Sequence, residues 1–245
     1  ISLKTDFAEA YYSLANTCGE LKKLNEAIFY CQKALNINSN YNNAKAYMFD
    51  QLKHICDFTV EDKLPGVLKL IRINEEAISP FVTLSWIDNA KIQLQRSKIW
   101  ASKKLELVEN ELNKKIATST YHKVNKSILN KDKKIKVGFF SADFHEHAIS
   151  YLILGLFCNY NKNQFEFYIF SYGYNKLGDY REKIKKNVNY FYDISQLSDE
   201  EIIALLKKCN LEISIDLMGY TKYSRLNIFR NRLSPIQINF LGYPG

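Results

Sequence analysis

The stretch KIKVGFFSADFHEHAISYLILGLF, residues 134–157, contains the transition that decides the fold. It opens with a short apolar run typical of a buried strand and closes with an apolar segment typical of a helix. Between these segments, SADFHEH places two carboxylates and two imidazoles in a few residues. The sequence therefore predicts a strand, a polar turn and a helix. The chemistry of the turn depends on what surrounds it.

The same alternation continues to the end of the sequence. Strand-like runs lie at 135–142, 165–172, 190–194, 212–219 and 235–242, and helical segments lie at 149–160, 179–187, 198–209 and 224–232. Nearly continuous apolar strands joined by helices favour a parallel sheet covered on both faces, which is a Rossmann-like, doubly wound arrangement. Ser198 and Glu201 have the spacing of a capping box at the start of the third helix.

Polar turns follow three of the predicted strands. They are SADFHEH (141–147), DLMGYTKYSR (216–225) and LGYPG (241–245). Ligands of doubly wound sheets bind outside the carboxyl ends of the strands. We therefore expect the three turns to converge on one rim of the sheet.

The first half of the chain has helical periodicity instead. One helical face is predicted for Tyr11, Leu14, Ala15 and Cys18, and a second for Ala27, Cys31 and Ala34. Large residues on the first helix opposite small ones on the second predict a tight antiparallel pair, with the spacing of a tetratricopeptide repeat. One clear repeat cannot bury a solenoid core, so we expect more repeats upstream.

These patterns divide the chain into three predicted regions. Residues 1–50 form a tetratricopeptide repeat at the end of a longer array, 51–128 form a helical connector, and 133–245 form the Rossmann-like lobe. The polar, lysine-rich run 119–134 is interpreted as a linker.

The composition indicates which partners the chain can have and in which compartment it works. No window approaches the eighteen apolar residues of a membrane span, and no signal-peptide pattern opens the sequence, so we predict no membrane partner. The lysines behind the net charge of +8 are spread along helices, so we predict no nucleic-acid partner. Five cysteines without CxxC spacing indicate reduced thiols in the cytoplasm. Because the chain begins with Ile1 rather than Met, we interpret it as a fragment or a processed piece.

The polar turn after the first strand admits several interpretations. No GxGxxG follows the strand, which disfavours a nicotinamide or flavin cofactor. His145 and His147 have weak HxH spacing for a metal and no visible further ligands, so we predict no metal site. They could equally be loop histidines without chemistry.

Asp143 could simply cap the following helix or bond to loop amides, and Asp216 is expected to organise its turn.

The blocks IKVGFFSADFHEHAISYLI, DLMGYTKYSRLNIF and SPIQINFLGYPG, downstream of a tetratricopeptide repeat and a helical connector, resemble the protein O-GlcNAc transferase and SPINDLY family, glycosyltransferase family 41. The likeness covers essentially the whole chain. It implies a tetratricopeptide-type α-helical region followed by the first, Rossmann-like lobe of a GT-B glycosyltransferase. The resemblance implies that the second, nucleotide-binding lobe would follow Gly245, so this chain alone is expected to be inactive.

The resemblance also implies site residues. His147 is the histidine of the DFxxH motif and the expected catalytic residue, acting as general base or as the group that orients acceptor and phosphate. His145 occupies a variable position of the motif. Tyr220 and Tyr151 depart from some members, in which histidine stands at these positions. The residues that the resemblance implies for substrate binding are Asp143, Tyr220, Thr221, Tyr243, Pro244 and Gly245.

The implied reaction is metal-independent transfer of a sugar from a nucleotide sugar to serine or threonine hydroxyls of polypeptides held by the repeats. UDP-N-acetylglucosamine is the first expected donor, with no other cofactor, and GDP-fucose is the alternative. Two other classes stay open. One is a non-catalytic tetratricopeptide adaptor, and the other is a GT-B enzyme that acts on small molecules or lipids.

Overall fold

The chain divides into two units, Ile1–Lys103 and Lys104–Gly245. The computed structural model describes residues 7–63, 65–66, 79–104, 133–173, 177–232 and 234–243. The end of the predicted connector and almost all of the predicted linker lie outside these residues. The three predicted domain bounds therefore stay predictions.

The described part of the first unit is helical. Its helices are α1 (Ala8–Glu20), α2 (Leu24–Ile37), α3 (Asn42–His54), a 3₁₀ helix (Phe58–Lys63), α4 (Pro80–Thr83) and α5 (Ala90–Lys104). The two helices predicted for the repeat are confirmed as α1 and α2. Pro80 opens α4 at its first position, where a missing N–H costs no hydrogen bond.

The side chains that are buried on α1 and α2 are small. The residues buried there are Ala8, Ala15 and Cys18 on α1 and Ala27, Cys31 and Ala34 on α2. Tyr11 and Leu14, predicted as the large residues of this contact, are only half-buried. Tyr11 nevertheless packs against the cluster of Ala8, Ala34 and Ala44, so one large residue of the first helix meets a small residue of the second. The small buried residues let the two backbones approach closely, and the half-buried ring of Tyr11 on α1 stacks on Tyr30 of α2 at a centroid distance of 6.4 Å.

The burial of Cys31 predicts its reactivity. Burial raises the pKa of the Cys31 thiol to about 12, so its thiolate is scarce at neutral pH. Cys56 and Cys158 are exposed, whereas Cys18, Cys31 and Cys209 are buried. We expect iodoacetamide to label Cys56 and Cys158 in the native chain and all five cysteines in denaturant, as read by peptide mass spectrometry. Labelling of native Cys31 as fast as Cys56 would show that the α1–α2 packing is wrong.

The second unit is an α/β sheet structure. Its elements are β1 (Ile135–Ser141), α6 (Ala148–Asn159), β2 (Phe165–Ser171), α7 (Asp179–Asn187), β3 (Tyr190–Asp193), α8 (Asp199–Cys209), β4 (Ile213–Asp216), α9 (Asn227–Arg230) and β5 (Ile236–Asn239). All four strand pairs are parallel, in the order β3-β2-β1-β4-β5. The predicted Rossmann-like parallel sheet is confirmed. The helix predicted over 224–232 is a single turn, α9.

The sheet is covered on both faces, as the apolar strands predict. Successive side chains of β1 point to opposite faces of the sheet. On one face Phe139 packs on Phe157 of α6 and on Phe167. On the other face Phe140 stacks on Phe170 and contacts Phe229. Burying one such ring contributes about 1.5–3 kcal/mol. The central strand is therefore fixed from two sides, and its end has a defined position.

The predicted capping box of α8 is present. The Ser198 hydroxyl accepts the backbone N–H of Glu201 at 3.2 Å, and the Glu201 carboxylate accepts the backbone N–H of Ser198 at 2.8 Å. The two side chains satisfy two backbone donors that the helix cannot satisfy itself.

Removing this cap should weaken the α/β unit. Ser198→Ala is expected to lower the free energy of unfolding by about 1 kcal/mol, and Ser198→Asp should keep most of it because the carboxylate still accepts. Urea unfolding followed by backbone NMR signals of the α/β unit measures both. Equal losses for the two variants would contradict the capping role.

Candidate functional site

Three predicted site loops lie at one edge of the sheet. Phe140 pairs with Asp216 and Asp216 pairs with Asn239, so β1, β4 and β5 reach their carboxyl ends side by side. The loop 142–147, the turn 217–226 and the segment 240–243 leave from these ends. The convergence predicted from the turns is thus present in the described residues.

The second and third of these loops are joined directly. The backbone N–H of Tyr220 donates to the carbonyl oxygen of Tyr243 at 2.7 Å, and the N–H of Tyr243 donates to the carbonyl of Met218 at 3.3 Å. The Thr221 hydroxyl donates to the same Met218 carbonyl at 3.0 Å. Tyr220, Thr221 and Tyr243 therefore lie together, whereas Pro244 and Gly245 are outside the described residues.

Asp216 organises the second turn, as predicted. Its carboxylate accepts the N–H groups of Met218 at 3.0 Å and Gly219 at 2.8 Å, and the Asn239 amide at 3.1 Å. Burial raises the pKa of Asp216, and these three hydrogen bonds oppose that rise. Gly219 has φ of 60°, and a Cβ there would lie 2.0 Å from the Tyr243 carbonyl oxygen, so only glycine allows the close approach.

Asp143 lies between the two histidines of the first loop. Its carboxylate oxygens are 3.7 Å from Nδ1 of His147 and 3.8 Å from Nε2 of His145. Burial raises the pKa of Asp143 above its usual value, and the imidazoles of His147 and His145 oppose the rise. The backbone of Asp143 is held as well, because its N–H donates to Ser141 Oγ and its carbonyl accepts the Ser150 hydroxyl.

His147, rather than Asp143, caps the following helix. Its Nδ1 accepts the backbone N–H of Ile149 at 3.3 Å, at the first turn of α6. The interpretation of Asp143 as a side-chain cap is therefore wrong. The His147 side chain is 43% exposed at the carboxyl edge, where a ligand can reach it. The side chain of His145 is 19% exposed, and its ring lies 5.6 Å from that of His147.

Two residues with no distinguishing local pattern in the sequence hold this loop. The carboxylate of Glu146 accepts the backbone N–H of Tyr180 at 3.1 Å, at the start of α7. Gly178, with φ of 121°, leaves room for that carboxylate: a Cβ there would lie 1.5 Å from its Oε2. This hydrogen bond connects the loop to α7, the helix that links β2 to β3.

Arg181 is the second such residue. Its buried guanidinium donates to the carbonyl of Phe144 at 3.3 Å, to Ser171 Oγ at 2.7 Å and to the Asp193 carboxylate at 3.2 Å. It joins the first site loop to the carboxyl ends of β2 and β3. In the sequence DYREKIKKN, Arg181 resembles an exposed charge of an amphipathic helix, so no local signal reveals its role.

Two further properties of the described residues bear on partners. No three His, Cys, Asp or Glu side chains among them group together as ligands of one metal ion would. No described helix combines the length and the apolar character needed to cross a membrane.

Fold and site together define a Rossmann-like lobe with polar loops at its carboxyl edge, preceded by a helix pair of the tetratricopeptide type. Comparison with known protein families gives the same two parts in the same order. The tetratricopeptide repeat model matches residues 8–41, and the model of glycosyl transferase family 41 matches residues 90–245. The second match covers more than half of the chain, which therefore belongs to glycosyltransferase family 41.

Individual relatives match over about half of the chain. A probable UDP-N-acetylglucosamine–peptide N-acetylglucosaminyltransferase SEC of Arabidopsis thaliana is 31% identical over 113 residues, which are 46% of this chain and 12% of that protein. A UDP-N-acetylglucosamine–peptide N-acetylglucosaminyltransferase of Caenorhabditis elegans is 29% identical over 112 residues, 45% of this chain and 10% of that protein. The matched residues thus span about a tenth of these relatives.

A solved structure resembles the chain in fold. It is a mutant O-GlcNAc transferase of Thermobaculum terrenum, with a TM-score of 0.69 and 16% sequence identity. The likeness covers 99% of this chain and 45% of the other. At this identity it concerns the fold, and it agrees with the predicted helical region followed by an α/β lobe.

Because Arg181 is buried and hydrogen-bonded, we expect its replacement to lower the stability of the α/β unit. Arg181→Met removes the donor of the Phe144 carbonyl and one donor of the Asp193 carboxylate, which keeps the N–H and hydroxyl of Ser195, so we expect the free energy of unfolding to fall by about 1–3 kcal/mol. Lys185→Met on the same helix is the matched control, because its ion pair with Glu182 is exposed and screened by solvent. Urea unfolding of both variants is the measurement. Equal stability of the two variants would contradict the role of Arg181.

Proposed function

We propose that this chain is part of a protein O-glycosyltransferase that moves N-acetylglucosamine from UDP-N-acetylglucosamine to serine or threonine hydroxyls of polypeptides. One observation carries the proposal: in a chain of family 41, the loop with His147 opens at the carboxyl edge of the parallel sheet, beside the turn with Tyr220 and Thr221. This edge is where doubly wound sheets bind ligands.

The reaction forms one bond and breaks one. A hydroxyl oxygen of the acceptor bonds to C1 of the sugar, the bond from C1 to the diphosphate oxygen breaks with its electron pair on the leaving group, and the hydroxyl proton passes to that diphosphate, directly or through the imidazole of His147. His147 is the proposed catalytic residue, because an imidazole near neutrality can accept a proton or donate a hydrogen bond to an oxygen. Asp143, Tyr220, Thr221, Tyr243, Pro244 and Gly245 are the proposed substrate-binding residues.

The donor and the acceptors are proposed from the relatives and the repeats. The curated relatives carry UDP-N-acetylglucosamine and peptide in their names, which supports this donor over GDP-fucose. The tetratricopeptide match supports polypeptide acceptors, because stacked repeats form extended concave binding surfaces. The cytoplasm is the proposed compartment, and the five free cysteines favour it.

The test is transfer by the full-length protein that contains this chain. His147→Ala is expected to lower kcat for transfer from UDP-N-acetylglucosamine to a serine-containing peptide by about 100-fold or more, the usual range for an acid–base or hydrogen-bonding group. His145→Ala is the matched control, one residue before Glu146 in the same loop, and should change kcat little.

Two outcomes would contradict the proposal. Unchanged transfer by His147→Ala would favour a scaffold role for this lobe, as in a tetratricopeptide adaptor. Full transfer to peptides after removal of the repeats would show that the repeats do not recruit the acceptor. In the same assay, UDP-N-acetylglucosamine should be a better donor than GDP-fucose.

A further inference from the structure

The turn after β4 contains a side chain in an unusual backbone conformation. The N–H of Ser224 donates to the carbonyl of Thr221 at 3.4 Å, which closes a β-turn. Lys222 and Tyr223 form its centre, and Tyr223 has φ of 65°, as the third residue of a type II turn does. Glycine or asparagine is usual there, because a larger side chain strains the left-handed backbone. A bulky aromatic residue at this position therefore costs free energy of folding.

The flanking contacts hold the turn in this conformation. On one side, the Thr221 hydroxyl donates to the Met218 carbonyl at 3.0 Å. On the other side, the Arg225 guanidinium donates to the carboxylate of Asp199 at 3.0 Å, at the start of α8. Because both flanks are tied, a shift of the turn does not relieve the strain at Tyr223.

The fold recovers little of this cost from the ring. Tyr223 is 53% exposed, whereas aromatic residues of the sheet such as Phe140 and Phe170 are fully buried. The ammonium of exposed Lys222 lies 4.9 Å from the centroid of the Tyr223 ring, within the range of a cation–π contact. The turn thus presents an aromatic ring and a positive charge together at the carboxyl edge.

The chemistry of this pair indicates its ligand. An ammonium attracts a carboxylate, and an exposed tyrosine ring packs against the apolar part of a neighbouring side chain. An acidic side chain on an extended polypeptide offers both groups. The diphosphate of the donor is the other anion of the proposed reaction, but no GxGxxG sequence follows β1 to hold it by backbone N–H groups. This difference favours the acceptor as the ligand of the pair.

We propose that Lys222 and Tyr223 form a subsite for an acidic side chain of the acceptor polypeptide, near the serine or threonine that receives the sugar. The subsite rests on the proposed function, because it shares its turn with Tyr220 and Thr221. The ring of Tyr223 contacts the acceptor chain and keeps the Lys222 ammonium close to the acidic group. The pair therefore acts on acceptor binding and on the choice among acceptors, and it leaves the transfer step unchanged.

Thermal unfolding of the chain shows whether the ring serves the fold. We expect Tyr223→Gly to unfold within about 3 °C of the unmodified chain, because relief of the backbone strain offsets the lost ring contacts. Arg232→Gly is the matched control, since Arg232 is exposed in the same unit and has φ of 48°. A larger fall in Tyr223→Gly alone would show that the ring is there for stability and would overturn the inference.

Acceptor kinetics of the full-length protein test the subsite itself. The substrates are a serine peptide with aspartate on both sides of the serine and its asparagine counterpart. We expect Tyr223→Gly to raise KM for the aspartate peptide about five-fold with kcat changed less than about two-fold, and Tyr223→Phe to recover most of that loss because it keeps the ring. Lys222→Met should abolish the preference for the aspartate peptide, which we expect to be about three-fold in KM. Arg232→Gly should match the unmodified protein.

Three kinetic results would overturn the inference. The first is an equal KM for the two peptides in the unmodified protein, and the second is an acceptor KM that neither Tyr223→Gly nor Lys222→Met changes. The third is a raised KM for UDP-N-acetylglucosamine instead, which would assign the pair to the diphosphate.

Peptide binding separates a failure of the subsite from a failure of the proposed function. If the unmodified protein transfers no sugar, the proposed function fails, and binding to the chain still decides the subsite. The aspartate peptide should shift the backbone NMR signals of Lys222 and Tyr223 more than the asparagine peptide does. Equal shifts with the two peptides, or none, would contradict the subsite.

Discussion

The burial of β1 on both faces, between parallel neighbours, is the constraint on which the rest of the structure depends. Phe139 and Phe140 point to opposite faces, and each is less than 2% exposed. Polar groups placed along such a strand would lose hydrogen bonds to water without replacement. The polar residues of this region are therefore displaced to the end of the strand, where the sheet opens to solvent.

Parallel pairing then decides which loops meet. Because β4 runs in the same direction as β1, the turn after Asp216 emerges beside the loop after Ser141 rather than at the far end of the sheet. Hydrogen bonds hold both segments. The first loop is held to α7 by Arg181, which donates to the Phe144 carbonyl, and by Glu146, which accepts the N–H of Tyr180; Asp216 holds the turn from within. A site held by such hydrogen bonds keeps its groups oriented before a ligand arrives, which favours electrostatic stabilisation of a reacting group.

The regular features of the fold could be predicted from the sequence because they follow from local patterns. The apolar runs give the five strands, and the spacing of Ser198 and Glu201 gives the cap of α8. The role of Arg181 could not be predicted because its partners are distant in sequence. Arg181 lies among exposed lysines in the sequence, and its hydrogen bonds to Phe144, Ser171 and Asp193 become visible only in the folded chain. The sequence did not indicate that His147 caps α6, because histidine is not a usual cap residue and the carboxylate of Asp143 is a more common cap acceptor.

The most direct test of this account is the strand register around β1. Backbone NOEs in the chain should connect Phe139 with Ile169 on one side and with Ile215 on the other, in the pattern of parallel strands. This result is what the account predicts, since it alone brings the loop of His147 and the turn of Tyr220 to one edge. Antiparallel NOEs, or contacts of Phe139 with only one neighbouring strand, would contradict it.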